Sequence, residues 1–343
     1  MFEQAGDAVG PSWKFWLLLA TIGVALLLVL VWVLRMTMMP LKSYRGEPGP
    51  LSVEETEISN HLSQHVKSLS EKIGERNLSK AGTLGAAADY IRSNLQQEGY
   101  SVTEQTYSVG GQQVRNLEAK LVGSETGGET VVVGAHYDSV EQSPGANDNA
   151  SGVAAVLELA RLFKGSRPRR TLRFVLFVNE EPPYFQTESM GSVVYARQLS
   201  RDHVPVSAMI SLETIGFYSD APGSQKYPVL LGSLYPNRGN FIGFVGNPSS
   251  RALLRQVVRK FRETTRFPSE GVAAPDGWPG VGWSDHWSFW QEQCPAIMVA
   301  DTALFRYPYY HTPSDTANRV DFAKMTRVVN GVRHVVEALS SGE

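Results

Sequence analysis

Polar side chains of the kind that bind metal ions follow a run of valines near the middle of the sequence. His136 and Asp138 end the stretch TVVVGAHYD, and Asp148 precedes the helical pattern NASGVAAVLELA. Residues two apart on extended backbone point to the same side, so Asp138 is placed to orient the His136 imidazole. An alternative role for Asp148 or its neighbour Asn149 is to cap the helix that follows. The histidine and the carboxylates together make this segment a candidate zinc site.

More carboxylates and a second histidine follow later apolar runs. Glu180 and Glu181 end TLRFVLFVNEE, Glu213 lies in SAMISLETIG, and His311 lies in YPYYHTPSD. Adjacent residues on an extended chain point in opposite directions, so one glutamate can bind a metal while the other stays free as a base. The alternative for the glutamate pair is a solvated acidic turn, which the buried strand directly before it disfavours. These side chains extend the candidate metal site.

The number of candidate ligands exceeds what one catalytic zinc ion uses. A single catalytic zinc takes three protein ligands and a water. Five ligands with one bridging carboxylate give three for each of two ions, and the five here are His136, Asp148, Glu181, Glu213 and His311. Two metal ions about 3.5 to 4 Å apart activate a water and hold both oxygens of a tetrahedral intermediate. The count therefore predicts two zinc ions per chain and hydrolytic chemistry.

The apolar runs that carry these residues predict the strands of an α/β domain. From residue 130, short continuous apolar runs alternate with helical patterns over 151–164 and 190–201, and two further helices are predicted over 53–75 and 83–98. Such runs are typical of strands covered on both faces, with right-handed crossovers between them. We predict a three-layer sandwich with a central, mostly parallel but mixed sheet flanked by helices. Open sheets of this kind bind ligands beyond the carboxyl ends of their strands, where the candidate ligands lie.

The N-terminal region contains an apolar segment long enough to cross a bilayer. Residues 15–34 carry no charge, and about 20 apolar residues span the hydrocarbon core. Trp13, Trp16 and Trp32 match the aromatic belts of membrane interfaces. A cleaved signal peptide is the alternative, but VWVLRMTMMPLK offers no small-residue cleavage site. We expect a tail over 1–14, a transmembrane helix over 15–35 that contacts lipid through 15–34, a linker over 36–51 and a catalytic domain over 52–343.

The overall composition excludes several classes of protein. The chain has 343 residues, 42% of them apolar, and a formal net charge of −2, so it can bury a sizeable core but gives no electrostatic reason to bind nucleic acid. Its single cysteine, Cys294, excludes an intrachain disulfide and is expected to be a buried structural thiol. His61 and His65 share a helix face, but HLSQH lacks the glutamate of a zinc-protease helix. We expect that face to be solvated.

Six motifs resemble, in order and spacing, the M28 family of zinc aminopeptidases. They are VGAHYDSV, PGANDNASGVAAVLELAR, NEE, SLETIG, SDHWSFW and HTPSDT, and the resemblance covers roughly residues 55–340. It implies that Asp148 bridges two zinc ions. His136 and Glu213 would complete one ion, and Glu181 and His311 the other. The implied substrate is a peptide with a free N-terminus.

The resemblance also implies roles for two residues beside the ligands. Glu180 would be the general base that takes a proton from the attacking water and passes it to the leaving amine, and Asp138 would support His136 from behind. Glu213 departs from the pattern, because aspartate is the commoner family residue there. The chain also inserts PPYFQTESM before Gly191, a segment expected to help shape the specificity pocket.

The glycine-rich segment GWPGVGWSDHW is a candidate wall of the substrate pocket. Its tryptophans are either core residues or pocket residues, and the glycines argue against a plain core element. We expect Trp283 and Trp287 to line the pocket with Tyr310. Asp285 resembles the pocket aspartate of the family, which forms hydrogen bonds near the metals.

Two other functions compete with peptide hydrolysis. The insertion before Gly191 also resembles glutaminyl cyclases, relatives that keep one zinc and cyclise N-terminal glutamine. A catalytically inactive binding ectodomain is the second alternative, and it is disfavoured because no candidate ligand is lost. Lys14 precedes the apolar segment and Arg35, Lys42 and Arg45 follow it, a bias that favours a cytoplasmic domain. We nevertheless expect a single-pass membrane protein with an extracytoplasmic catalytic domain, because the relatives mostly work there.

Overall fold

Eight strands form one mixed sheet in the computed structural model, which describes residues 13–125, 128–228 and 231–342. The predicted tail over 1–14 lies outside the described residues up to position 12. The strands are β1 (Val102–Val109), β2 (Gln112–Leu121), β3 (Thr130–His136), β4 (Thr171–Phe177), β5 (Val206–Glu213), β6 (Ile242–Gly246), β7 (Ser269–Ala273) and β8 (Ala296–Ala300). Their order across the sheet is β1-β2-β4-β3-β5-β8-β6-β7.

The centre of the sheet is parallel and its margins are mixed. Strands β4, β3, β5 and β8 run parallel to one another, whereas β1, β2 and β4 pair antiparallel and β6 pairs antiparallel with β8. Every residue of β3 and of β8 is buried, as expected of strands covered on both faces. The prediction of a mostly parallel, mixed sheet is confirmed. The strands β1, β2, β6 and β7 were not predicted.

Helices cover both faces of the sheet. One face packs mainly against α2, α3, α4, α6 and α8, and the other against α5 and α7. The helices after the first are α2 (Val53–Lys67), α3 (Ala81–Gln97), α4 (Gly152–Phe163), α5 (Gly191–Arg201), α6 (Arg251–Thr264), α7 (His286–Gln291) and α8 (Phe322–Ser341). Helix α2 continues as a π-helical turn over Ser68–Ile73. Cys294, expected to be buried, is half-buried beside the second core.

The first helix, α1 (Trp13–Thr37), has apolar side chains that other parts of the described chain leave mostly uncovered. Its mean hydropathy is 3.0, and of the helices in the described part of the chain it alone has the length and composition of a membrane span. The segment after it has no helix or strand up to residue 52 and is bound to the domain. Met36 is buried, and Arg262 donates hydrogen bonds to the carbonyl oxygens of Pro40 and Leu41.

The histidine pair on α2 does not form a solvated face. His61 Nδ1 lies 3.1 Å from Glu158 Oε2 on α4, and His65 Nδ1 lies 2.8 Å from the hydroxyl of Tyr90 on α3. Burial, with repulsion from His61 and Arg161, lowers the pKa of His65 to about 4. The expectation was wrong because α2 packs over α3 and α4 on this face.

Candidate metal centre

The structure brings all five predicted ligands together at one edge of the sheet. His136 is the last residue of β3, Glu213 is the last residue of β5, and Glu181 follows the end of β4. Asp148 lies in the turn before α4, and His311 lies in the loop after β8. Because β3, β4 and β5 are parallel, their carboxyl ends meet, and the turns that follow them deliver ligands to one place.

The first group of possible ligands is His136, Asp148 and Glu213. His136 Nε2 lies 3.4 Å from Asp148 Oδ1 and 3.2 Å from Glu213 Oε2. All three residues are buried, and their ligand atoms lie within 4.8 Å of one another. This spacing suits three protein atoms around a single ion.

The second group is Asp148, Glu181 and His311. His311 Nε2 lies 3.1 Å from Asp148 Oδ2 and 3.1 Å from Glu181 Oε2. Asp148 therefore belongs to both groups and presents a different carboxylate oxygen to each histidine. The stacking of the His311 ring on Tyr310, with centroids 3.8 Å apart, fixes the orientation of this histidine.

The polar atoms of the centre fit bound divalent cations. Asp148 Oδ2 and His311 Nε2 are buried and have no hydrogen-bond partner among the described residues. Burial, followed by the charge of Asp148, raises the pKa of Glu181 to about 7, and burial likewise raises the pKa of Glu180 and Glu213. Each shift reflects an anionic oxygen that is removed from water without enough positive charge around it. Cations at both groups would supply that charge.

Asp138 connects the exits of two strands. Its two carboxylate oxygens accept hydrogen bonds from the backbone N–H groups of Glu180, at 3.2 Å, and Glu181, at 3.0 Å. His136 Nδ1 lies 3.2 Å from the Asp138 carbonyl oxygen and 3.5 Å from its Oδ1. Donation from Nδ1 leaves Nε2 as the free lone pair that points into the metal centre.

Glu180 belongs to neither group of possible ligands. Its Oε2 lies 3.8 Å from His136 Nε2, and the residue is buried. Glu180 thus stands beside the first group with a carboxylate that is not committed to a hydrogen bond within the described part of the chain. Its neighbour Glu181 accepts a hydrogen bond from the Val140 N–H at 3.1 Å.

Three residues that sequence reasoning missed hold the ligands in place. Asp315 accepts hydrogen bonds from the backbone N–H groups of Asn147, at 2.8 Å, and Asp148, at 3.0 Å. Ser284 Oγ donates to Glu213 Oε2 at 2.8 Å. The sequence signal for Asp315 is its position four residues after His311, at the end of YPYYHTPSD. Ser284 is brought beside Glu213 only by the fold.

The third of these residues, Arg76, is a fully buried arginine. Its guanidinium donates to the carbonyl oxygens of Tyr137, at 2.8 Å, Pro144, at 2.6 Å, and Gly145, at 3.0 Å. Gly145 has a φ of +59°, and a Cβ there would lie 2.4 Å from the Asp148 carbonyl oxygen. Arg76 therefore fixes the loop between the candidate ligands His136 and Asp148.

A mostly apolar cavity adjoins the metal centre. It opens to solvent and extends from Glu213 and Tyr310 to Trp278. Trp283 and Tyr310 line it. Asp285 and Trp287 do not line it: Asp285 is fully buried, with both oxygens unpartnered among the described residues, and Trp287 packs against the second core.

Comparison with known proteins identifies the family. The profile of peptidase family M28 matches residues 116–336. An uncharacterized protein of Escherichia coli, YfbL, is 39% identical over 280 residues, which are 79% of this chain and 85% of that protein. A probable leucine aminopeptidase of Trichophyton verrucosum is 29% identical over 61% of this chain, and the chain spans 53% of its length.

Solved structures share the fold. A zinc aminopeptidase from Bacillus subtilis superposes with a TM-score of 0.67 at 16% identity, covering 83% of this chain and 95% of that one. A glutaminyl cyclase of Porphyromonas gingivalis superposes with a TM-score of 0.62 at 20% identity, covering 81% and 98%. The chain belongs to peptidase family M28. This membership places it among the zinc-dependent peptide hydrolases, with the aminopeptidases of the family.

Proposed function

We propose that this enzyme releases N-terminal amino acids from peptides and binds two zinc ions. The observation that carries the proposal is the position of Asp148, whose two oxygens face His136 and His311. One ion would be held by His136, Asp148 and Glu213, and the other by Asp148, Glu181 and His311. Bound zinc supplies Lewis acidity toward the scissile carbonyl and lowers the pKa of water.

Glu180 is the general base of the proposed reaction. Glu180 and Asp138 both lie beside the first group and outside both sets of ligands, but the Asp138 oxygens accept backbone hydrogen bonds, whereas the Glu180 carboxylate accepts none within the described part of the chain. Its buried carboxylate accepts a proton from the attacking water and donates it to the departing amine. Asp138 holds the backbone of Glu180 and orients His136, so it supports the base and a ligand together.

The apolar cavity receives the side chain of the first residue of the peptide. It begins at Glu213 and Tyr310, next to the metal centre, and its lining is mostly apolar, although Glu213 and Glu270 border it. An acidic side chain would lose its hydration there and would meet carboxylates rather than a positive partner. Peptides with a large apolar N-terminal residue are therefore the preferred substrates.

The cyclase alternative has structural support only in the shared fold. A single-zinc cyclase needs one group of ligands, whereas this chain places two complete groups around Asp148. The same completeness disfavours an inactive binding ectodomain. Peptide hydrolysis by two zinc ions would use both groups of ligands and the uncommitted carboxylate of Glu180.

Helix α1 is a single membrane span in this proposal. Its 25 residues correspond to about 37 Å, which exceeds the roughly 30 Å hydrocarbon core. The catalytic domain lies outside the cytoplasm, against the bias of the basic residues that follow the helix. Protease digestion of intact cells tests the sidedness, and full protection of the domain would reverse it.

The deciding experiment combines metal analysis with product analysis on the full chain in detergent. We expect two zinc ions per chain and free leucine from leucyl peptides. A glutaminyl peptide should release free glutamine. One zinc at saturation, with ammonia and a pyroglutamyl product, would establish the cyclase instead.

A further inference from the structure

The end of α1 is docked on the catalytic domain rather than attached by a free linker. The rings of Trp32 and Trp278 meet edge to face, with centroids 5.9 Å apart. Met36 is buried in the second core. Arg251 Nε donates to the carbonyl oxygen of Arg35 at 2.6 Å, and Arg255 donates to that of Met38. The direction in which α1 leaves the domain is therefore fixed by side-chain contacts.

This docking sets the depth of one loop of the domain relative to a membrane. Trp32 lies five residues before the end of α1, or about 7 Å along the helix axis, near the carboxyl end of the apolar stretch. Tryptophan at the end of a membrane span lies at the headgroup level. Trp278 touches Trp32, so its loop reaches the same level. Gly277 and Pro279, on either side of Trp278, are exposed.

The charges around the helix end agree with contact to a lipid surface. Arg251 and Arg255 bind backbone carbonyl oxygens, which are neutral, so their positive charges are not cancelled by these partners. Arg35 lies next to them at the helix end. Basic side chains at this level are attracted to the phosphates of anionic lipids. The face of the domain around the N-terminal end of α6 is thus suited to the bilayer surface.

The same loop is a wall of the apolar cavity. Trp278 and Gly271 both line it. A Cβ at Gly271 would lie 2.8 Å from Met39 Cγ, so the segment that leaves α1 packs directly behind this wall. The cavity thus runs from the metal centre to the contact between the domain and the membrane helix.

We propose that the cavity lies at the bilayer surface and that the physiological substrates are peptides with an apolar N-terminal residue that are themselves bound to the bilayer. The proposal rests on the proposed function and on α1 as a membrane span. A cavity raised well above the bilayer would favour peptides from solution. A cavity at headgroup level takes N-termini that lie within a few residues of a membrane-inserted part.

A series of lipid-anchored peptides measures how far the catalytic site lies above the bilayer surface. Each peptide has an N-terminal leucine, a spacer of three, six, nine or twelve residues, and a C-terminal palmitoyl chain. The full chain is reconstituted in phosphatidylcholine and phosphatidylglycerol vesicles. An extended residue spans roughly 3.3 Å, so a site 30 Å above the surface needs about nine spacer residues. We expect the three-residue spacer to be cleaved within about threefold of the twelve-residue spacer.

Controls separate the inference from the proposed function. The same peptides in detergent solution show whether the short spacer is a poor substrate in itself. Leucine amide, which has no anchor, reports the basal activity. Loss of leucine amide hydrolysis would refute the proposed function. Normal leucine amide hydrolysis with a short spacer cleaved at least about tenfold more slowly than the long one, in vesicles only, would overturn the inference.

A spin label measures the depth of the loop directly. In a Cys294→Ser background, Gly277→Cys places a label beside Trp278, where the glycine has no heavy atom within 4 Å of an added Cβ. Val122→Cys, 74% exposed just after β2 on the opposite side of the sheet, is the matched control. We expect the label at 277 to collide with lipid-soluble oxygen and the label at 122 to collide only with aqueous nickel complex. Equal aqueous exposure of both labels would overturn the proposal.

Discussion

Asp315 accepts a hydrogen bond from the backbone N–H of Asp148 at 3.0 Å, and Tyr307 donates to the other Asp315 oxygen at 2.7 Å. The residue between the two candidate metal positions is therefore held by its backbone, which leaves both of its carboxylate oxygens available. Asp315 also binds the N–H of Asn147. The loop after β8 thus contributes both a candidate ligand, His311, and the group that positions Asp148, the residue common to both candidate groups.

Asp148→Ala should remove both zinc ions, because each group of ligands would keep only two members. We expect zinc content near zero and no measurable hydrolysis of leucine amide. Glu213→Ala, which touches one group only, is the matched comparison and should retain about one ion. The measurement is elemental analysis after dialysis against a zinc buffer. Retention of one ion by Asp148→Ala would contradict the shared position.

Glu180→Gln should show whether Glu180 acts as a general base or as a metal ligand. The amide keeps the size of the side chain but cannot accept a proton, so kcat should fall by about 10² to 10⁴ while KM changes little. Zinc content should stay at two. Glu181→Gln replaces an anionic ligand with a neutral one and should lower zinc occupancy instead. If Glu180→Gln loses zinc and Glu181→Gln keeps it, the two roles are exchanged.

Arg76→Met should weaken metal binding although Arg76 touches no candidate ligand side chain. The variant leaves several buried carbonyl oxygens without a donor, at a cost on the order of 3 kcal/mol, and releases the loop before Asp148. Because this variant risks unfolding, Arg76→Lys is measured beside it. Lysine keeps the positive charge but lacks the planar guanidinium and its several N–H donors. We expect a folded Arg76→Lys protein with a zinc dissociation constant raised about tenfold. An unchanged constant in the folded variant would contradict the positioning role.

The clustering of the candidate metal ligands could be predicted because the sequence places most of them at the ends of continuous apolar runs. A strand buried on both faces is recognisable, and its carboxyl end is a known place for a site. The hairpin of β1 and β2 was missed although Gly110 and Gly111, both with positive φ, form its two-residue turn. Strands β6 and β7 were missed because glycine or polar residues interrupt their short sequences, IGFVG and SEGVA, whereas β8, of the same length, is the continuous apolar run AIMVA.

The supporting residues could not be predicted because they act across long sequence separations. The Arg76 guanidinium donates to the backbone carbonyl oxygen of Gly145. Every residue type has such a carbonyl, so the contact has no sequence motif. Asp285 shows the same limit over a short separation. Trp283 is 45% exposed whereas Asp285, two residues on, is fully buried, because the chain turns into α7 between them. Neighbours in a turn need not share a face, so the sequence does not indicate which of them borders the cavity.

Removal of helix α1 should show where the catalytic domain begins. A chain starting at residue 35 keeps Met36 and the docked segment, whereas a chain starting at residue 49 loses both. Burial of a methionine side chain stabilises by about 1.5 to 3 kcal/mol. We expect both chains to fold and hydrolyse leucine amide, with the longer one unfolding at a higher temperature. Equal midpoints in thermal denaturation would show that the docked segment adds no stability.

His65 should make stability depend on pH. Its pKa in the folded protein is about 4, below the usual 6.5, because burial disfavours the imidazolium. As the pH falls, His65 therefore becomes protonated in the unfolded chain before it does in the folded protein. The stability that the neutral imidazole contributes is fully present above pH 6.5. It is lost as the pH falls from 6.5 to 4, and its full size is roughly 3 kcal/mol.

His65→Gln keeps a hydrogen-bonding group near Tyr90 but cannot titrate. The variant should lose less stability than the wild type between pH 7.5 and 4.5, measured as the shift in thermal midpoint of the full chain in detergent. His334→Gln, at the surface of α8, is the matched control and should behave like the wild type. The same acid shift in His65→Gln and in the wild type would show that other groups carry the pH dependence.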